Sequence, residues 1–524
     1  MWTLRTLRIK KALPYMVTLS ILQLMVSTAF YMIAAQALAK PDLGLVSTLT
    51  FLILIFTTLA PLAIPIAGTK FVSEFIGKNE RTGAANVAST VIRLAVALSG
   101  VFLLGFSALA FLLVAVFQWP QVVLGCVVLT LIASFLGALR LTYMGLLQGL
   151  QLFDRYAVTN VFALILSRLI GLVLILVQMG LMGFAVGMVC GEAVGLVLAL
   201  VYFHGSLPKA TRTYPVKALL AFSLPLLVMN VVTALSDWID RALFLALSQD
   251  LEALGVYELV IRGASSLAVI WAIIDVIILP VFSETYGNSG KTTLTRPLKR
   301  ALRYLIFMYF PAALGLATIS RTVMALLFGG GYVVGHIPLA ILSIFSIGTA
   351  FTIIMGSTLK AIGETRVFVK AAVISLIADS VVVVLGTPFF NLYGAVAGRV
   401  CAILVVFIYV FLELKRNIRI ELDVTSLWKG AVASMAITVP IRLFEDVVAA
   451  SLINNPVLTV GIEILVGLVC YIIGLFLLKA LNHDDFGLMR QLLPQTLTPL
   501  LTVMERVLIR QPASTTDRTT ALNP

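Results

Sequence analysis

Fourteen apolar stretches, most of them twenty residues or longer, follow one another along the chain with only short polar breaks between them. A bilayer core needs ~20 apolar helical residues to cross it. Lipid offers no partner to the backbone groups of an open strand or loop, so each stretch must be a helix. The stretches fall near 13–37, 43–67, 86–116, 121–150, 156–177, 183–203, 217–247, 255–282, 301–327, 338–360, 367–388, 394–412, 430–449 and 457–478. Of the 524 residues 60% are hydrophobic and 12% charged, far more apolar surface than one soluble core could bury. A soluble enzyme is excluded, and no length remains for a large domain outside the membrane. The expected fold is an all-α polytopic membrane protein of about 14 transmembrane helices.

The 37 basic residues exceed the 24 acidic ones, a formal net charge of +13. In a soluble chain that balance would point to nucleic acid. Here the basic residues outside the spans crowd into alternate loops and both termini, while the opposite loops hold only Lys40. That is the positive-inside bias, so the excess reports orientation, both termini are expected in the cytoplasm and no nucleic-acid partner is implied. The segment Ala35-Gln36-Ala37-Leu38-Ala39 resembles a signal-peptidase site, but the apolar run before it is too long for a signal peptide. All four cysteines (Cys126, Cys190, Cys401, Cys470) sit inside apolar runs without Cys/His clustering, so no metal centre is expected from them.

The chain matches itself at one offset of about 211 residues. Leu13-Pro14 meets Leu224-Pro225, Leu43-Gly44 meets Leu254-Gly255, and Gly183, Gly187 and Cys190 meet Gly394, Gly398 and Cys401. Ser73-Glu74 meets Ser283-Glu284 one residue out of step, and Asp154-Arg155 falls near Glu364 and Arg366. Each copy holds six spans, an even number, so both insert the same way and are expected as two pseudo-symmetric six-helix bundles about an axis along the membrane normal. The organisation read from this is an N-lobe over 1–210, a C-lobe over 211–420, two further spans over 421–480, and a cytoplasmic tail over 481–524 with an interfacial helix and a disordered end. Two parallel bundles around a cleft suit a transporter that opens to each side in turn.

An ionisable residue at mid-bilayer costs ~2.5–3.5 kcal/mol on insertion scales and so faces a cavity or a partner. Arg140 and Arg168 lie deep in the fourth and fifth spans, with Glu192 at comparable depth in the sixth. Guanidinium forks match phosphate oxygens and stay charged where water is scarce, so Arg140, Arg168 and Arg93 are candidates to hold a phosphate or pyrophosphate. Equally, one of the deep pair could be spent on Glu192, and Arg93 could snorkel to the inner surface. Arg262 and Arg399 are further cleft candidates in the second copy. Asp237 and Asp379, with Ser375 one turn before Asp379, are oxygen donors suited to Na+ or, by protonation, to H+ coupling; Asp379 could instead neutralise Arg262 or Arg399.

The segment Asp240-Arg241-Ala242-Leu243-Phe244 with Glu252-Ala253-Leu254-Gly255-Val256-Tyr257, and Leu327-Phe328-Gly329-Gly330-Gly331-Tyr332 before Pro338-Leu339-Ala340-Ile341-Leu342, resemble the multidrug/oligosaccharidyl-lipid/polysaccharide exporter superfamily. Within it they are similar to the polysaccharide-biosynthesis flippases, over roughly residues 10 to 480. The resemblance implies a flippase that moves a prenyl-(pyro)phosphate-linked oligosaccharide across the plasma membrane, with no cofactor, with lipids and glycan-assembly enzymes as partners, and as a monomer. Two spans beyond the duplication favour that branch over twelve-span drug antiporters. The resemblance also implies a Na+ site contributed by spans seven, eleven and twelve, where Asp237 and Asp379 stand and Ser375 replaces an expected amide.

Two other classes compete. A drug/cation antiporter of the same superfamily would share the fold, and a membrane-embedded prenyl-linked-sugar transferase could use Asp237 and Asp240 to bind a divalent metal. Gly290-Lys291-Thr292 repeats the end of a phosphate-binding loop, but Thr285 stands where the required earlier glycine would be. ATP hydrolysis is not expected.

Overall fold

The sequence places proline, glycine and charge at the breaks between apolar runs, and the helices of the computed structural model begin and end there. It describes residues 22–480 apart from 24, 118–120, 269–277, 279–281, 284, 287–289, 422, 445–455 and 479. The expected tail over 481–524 and much of the eighth span therefore lie outside the described residues. Helices α1 (Met25–Ala37), α2 (Lys40–Leu59), α3 (Ile64–Gly77), α4 (Arg81–Phe117), α5 (Gln121–Gly149), α6 (Phe153–Leu174) and α7 (Gly180–Phe203) form the first half. Helices α8 (Val216–Ser248), α9 (Leu251–Ser265), α10 (Thr295–Thr318), α11 (Ser320–Phe328), α12 (His336–Ala361), α13 (Arg366–Phe390) and α14 (Leu392–Asn417) form the second. After them come α15 (Val424–Met435), α16 (Thr438–Phe444) and α17 (Pro456–Leu477).

Among the described residues, eleven segments are long and apolar enough to cross a membrane. The difference from fourteen has local causes. Only 13 residues of the first span are counted as a described helix, the eighth is interrupted at 269–277 and 279–281, which lie outside the described residues, and α6 and α7 run together as one segment of 51 residues. They are a folded-back pair: the chain reverses at Gln178 (φ 70°) and Gly180 (φ 54°). The second span is broken in mid-course. Pro61 lacks the N–H that would continue α2, and Leu62 and Ala63 take left-handed φ values of 47° and 55° before α3 begins.

Packing inside each half runs on small residues. Along α7, Gly183, Gly187, Gly191 and Gly195 lie against α6, where added Cβ atoms would collide with Leu174, Gly171, Ser167 and Ala163 in descending order. In the second half, Gly394 and Gly398 seat α14 against Gly386, Val383 and Asp379 of α13. Small residues let helix backbones approach where lipid provides no hydrophobic drive to association. The last helices close on the second half: the Tyr471 hydroxyl donates to the Phe307 carbonyl at 2.8 Å, and Gly430 lies against Ile306.

The halves meet along α2 and α9, which run parallel. Asp250 caps α9 by accepting from the Ala253 amide, and Lys40 at the start of α2 pairs with Glu252 at 2.6 Å. Gly44 lies against the Leu251 carbonyl and Gly255 against the Lys40 carbonyl, leaving no room for a Cβ on either. Residues 44 and 255, like 40 and 251, stand 211 apart, so the contact is reciprocal, as at a twofold interface. The Ser47 hydroxyl then donates to Glu258 at 3.1 Å, also 211 residues away. A residue that touches its own counterpart lies on the axis, and here the axis runs along the two helices.

Overpacking a tight contact costs about 1–3 kcal/mol. Gly187→Val is therefore expected to lower the melting temperature of the detergent-purified protein. Gly100→Val, with nothing within 4 Å of its added Cβ, should leave melting unchanged.

Candidate functional site

The axis places a charged cluster where the halves meet. Glu258 on α9 is 0% exposed, accepts from Arg262 at 2.7 Å and from the Ser47 hydroxyl, and is ion-paired with Arg241 at 3.3 Å without a hydrogen bond. Arg262 follows Glu258 by four residues on the same helical face, which fixes that pair locally. Its Nη2 also donates to the Tyr31 hydroxyl at 3.3 Å, and its guanidinium lies 4.7 Å from the centre of the Tyr31 ring. Arg241 stacks over Trp238 at 4.1 Å. Beside it, the fully buried Asp240 carboxylate is taken up by the Tyr257 hydroxyl at 2.7 Å and the Arg241 amide at 2.8 Å.

Arg168 enters from α6. Its guanidinium lies over Phe30, Tyr31 and Phe184 at 4.7, 5.6 and 5.9 Å, and its buried Nη1 has no hydrogen-bond partner among the described residues. Aromatic faces attract a cation but accept no strong hydrogen bond, so this donor is left for something else. Three guanidiniums, those of Arg168, Arg241 and Arg262, stand beside two carboxylates, those of Glu258 and Asp240; neutral donors satisfy Asp240 without removing its charge. The cluster carries surplus positive charge.

On the far side of α8 and α9 a cavity of about 400 Å³ opens inside the second half. Asp237, Arg399, Ser375, Ser236, Tyr309 and Thr349 are among the residues lining it. Arg399 donates to the Ser236 carbonyl at 3.1 Å and has Asp237, Asp240 and Asp379 as charged neighbours. Asp379 is 1% exposed, lies against Gly398, and neither of its oxygens has a hydrogen-bond partner among the described residues. A buried carboxylate without donors persists only if it is protonated or faces a cation. The wall therefore combines acidic and hydroxyl oxygens suited to Na+ or a proton. Among the described residues no group of three His, Cys, Asp or Glu gathers for a metal ion, and that includes Asp237 and Asp240.

Of the residues singled out by sequence, Arg168 and Arg262 share Tyr31, while Asp237, Ser375 and Arg399 share the cavity with Asp379 adjoining. Arg140 lies elsewhere. Its Nε and Nη2 reach Glu192 at 2.6 and 3.2 Å, and its Nη1 reaches Asn160 and Met144, so each nitrogen is bonded between α5, α6 and α7. Arg93 is exposed on α4 and donates to Ser89 at 2.9 Å. Sequence reasoning passed over Glu258, Tyr31 and Ser47. The signal for two of them was present: Glu258 precedes Arg262 by one helical turn inside a span, and Ser47 is its counterpart at the repeat offset.

The model of a family described as "Polysaccharide biosynthesis protein" matches residues 33–334. Among solved structures, a lipid II flippase MurJ in an inward closed conformation superposes with TM-score 0.66 at 13% identity, covering 91% of this chain and 99% of that one. An inward-facing multidrug resistance MATE family transporter of the MOP superfamily gives 0.65 at 15% identity, covering 75% and 94%. A point mutant of the Vibrio cholerae MATE transporter VcmN gives 0.54 at 16%, covering 78% and 96%. At such identities the likeness is one of fold. No curated protein matches the sequence.

Removing one member of a buried ion cluster leaves uncompensated charge and costs about 3–5 kcal/mol. Glu258→Ala should therefore sharply lower the melting temperature and folded yield. Ser47→Ala, which removes one neutral donor, should cost about 1 kcal/mol. Thermal unfolding of both variants in detergent checks the contrast.

Proposed function

The chain belongs to the polysaccharide biosynthesis protein family, and from that membership we propose that it is a flippase carrying a prenyl-(pyro)phosphate-linked oligosaccharide from the inner to the outer face of the plasma membrane. Two lobes, 1–210 and 211–420, alternate about the seam between α2 and α9, with both termini in the cytoplasm. The observation that carries this reading is the unpartnered guanidinium nitrogen of Arg168 beside Arg262 at the axis. A phosphate oxygen supplies the acceptor that Arg168 lacks and neutralises the surplus charge of the cluster. The aromatic faces of Phe30, Tyr31 and Phe184 hold the guanidinium in place and leave its Nη1 without an acceptor among the described residues. Arg262, already ordered by Glu258 and Tyr31, presents its remaining N–H groups to the same anion.

The fold is equally that of MATE drug transporters, but a cationic cargo would meet three guanidiniums at the axis. Surplus positive charge repels it and attracts phosphate. Cation coupling is assigned to the cavity of the second lobe. Asp237, Ser375 and Asp379 supply oxygens for Na+, or the carboxylates take up H+, and Arg399 competes for them when the ion leaves. The working unit is a monomer in lipid, and glycan-assembly enzymes are its partners.

In proteoliposomes that report headgroup accessibility of lipid-linked sugars, Arg168→Glu is expected to reduce flipping at least about a hundredfold, since replacing attraction by repulsion at a desolvated phosphate is worth several kcal/mol, while the protein stays folded. Unchanged flipping would refute the assignment. Asp379→Asn should remove any response of transport to imposed Na+ and pH gradients. A variant that still responds as the parent does would place coupling elsewhere.

A further inference from the structure

Helix α14 ends at Asn417, and the chain does not leave the helix end freely. Ile418 is buried and extended (φ −138°, ψ 143°), and the segment around it is tied to the start of α10 and the turn before it. The Thr295 hydroxyl donates to the Arg419 carbonyl at 3.1 Å, and the Lys291 ammonium donates to the Asn417 side-chain oxygen at 3.1 Å. The result is a groove of about 540 Å³ with Phe411, Ile418 and Ile420 among its lining and Lys415, Arg416 and Arg419 around them. Arg416 is held 2.8 Å from Glu413. Lys415 and Arg419 are exposed, and no carboxylate among the described residues pairs with either. Up the outside of α14 from this end, Leu412 and Ile408 stand 48% and 52% exposed, one turn apart. They lead an apolar track away from the cations and into the membrane.

We propose that this groove binds an anionic glycerophospholipid of the inner leaflet. Its phosphate sits between Lys415 and Arg419, and its acyl chain follows Phe411, Leu412 and Ile408. The combination selects that occupant: charge calls for a phosphate, and basic residues at the cytoplasmic end of a spanning helix attract anionic headgroups. The apolar lining and the track beyond it offer nothing to inorganic phosphate but bury a hydrocarbon chain. Because α14 carries Arg399 on the cavity wall, the lipid also steadies the helix that holds the proposed coupling site. The leaflet follows from the orientation proposed above; binding itself does not depend on transport.

The test is native mass spectrometry of the full chain in detergent, titrated with phosphatidylglycerol or phosphatidylcholine, a measurement blind to sidedness and to flipping. Wild type should retain phosphatidylglycerol in preference to phosphatidylcholine, and equal concentrations of inorganic phosphate should not displace it. A basic residue near the surface contributes about fivefold to such binding, so Lys415→Gln with Arg419→Gln should weaken phosphatidylglycerol retention about thirtyfold and leave phosphatidylcholine unchanged. If the double variant does not fold, Arg419→Gln alone should show about a fivefold loss. Equal retention by variant and wild type, no preference between the lipids, or displacement by phosphate each overturns the proposal. Loss of flipping with lipid binding intact would instead count against the transport reading alone.

Discussion

The buried carboxylate of Glu258 governs how the halves of this protein can meet. A carboxylate with no exposure, in a membrane, must be neutralised by groups that are already there. Its cationic partners, Arg241 and Arg262, come from α8 and α9, the same side of the seam as Glu258 itself. What crosses the seam is weaker: a serine hydroxyl from Ser47, the phenol of Tyr31, and the Lys40–Glu252 pair with its side chains 31% and 55% exposed. The Arg140–Glu192 pair likewise closes within the first half. The buried ion pairs of Glu258 and Glu192 thus close inside each half, and what crosses the seam is a set of individually modest polar bonds of roughly 1–3 kcal/mol, an exposed ion pair of at most ~1 kcal/mol and a shared apolar core in which Phe51 stacks on Trp238 at 5.9 Å. Parting along α2 and α9 would break none of the ion pairs of Glu258 or Glu192.

Shape reinforces this division. Within each half, glycines bring backbones into contact along several turns, as with Gly183, Gly187 and Gly191 against α6 and Gly394 and Gly398 against α13. Such surfaces interlock and resist separation. At the seam only Gly44 and Gly255 make a reciprocal approach, and the second span breaks further along, where Leu62 and Ala63 adopt left-handed backbone. Strain of that kind is sustained by packing around it and marks a place where the helix direction can change. The half of this span that touches α9 is therefore uncoupled in direction from the half that packs on α4 and α5.

Much of this was readable from residue order. The apolar runs mark the helices because lipid allows nothing else, and the repeat at 211 foretold both the small-residue faces and the parallel relation of the copies. The broken second span was signalled by Pro61 and Pro65, though not the left-handed pair between them, since neither Leu62 nor Ala63 favours that conformation. Partner choice was less legible. Arg140 and Glu192 are 52 residues apart on different helices, and no spacing rule reveals that they meet. Glu258 was passed over because it stands just past the Glu252–Tyr257 motif, and its one sequence signal, Arg262 a turn later, gains weight only with its burial and its contact with Ser47.

The duplication also explains where charge of each sign resides. Adding 211 to Arg168 gives Asp379: the two copies place a guanidinium and a carboxylate at the same point of the repeat, each with buried atoms that lack a protein partner. The same shift takes Phe51 to Arg262 and Ser47 to Glu258, so the second copy carries ionic groups where the first has an aromatic ring and a hydroxyl. Equivalent positions in equivalent lobes lie at comparable depth, hence at a comparable cost for an unmatched charge. Opposite signs at those positions fit the opposite ligands proposed above, an anion in the first lobe and a cation in the second. In the transport cycle proposed above, the seam on the twofold axis, crossed by no buried ion pair of Glu258 or Glu192, is the surface about which the lobes would move.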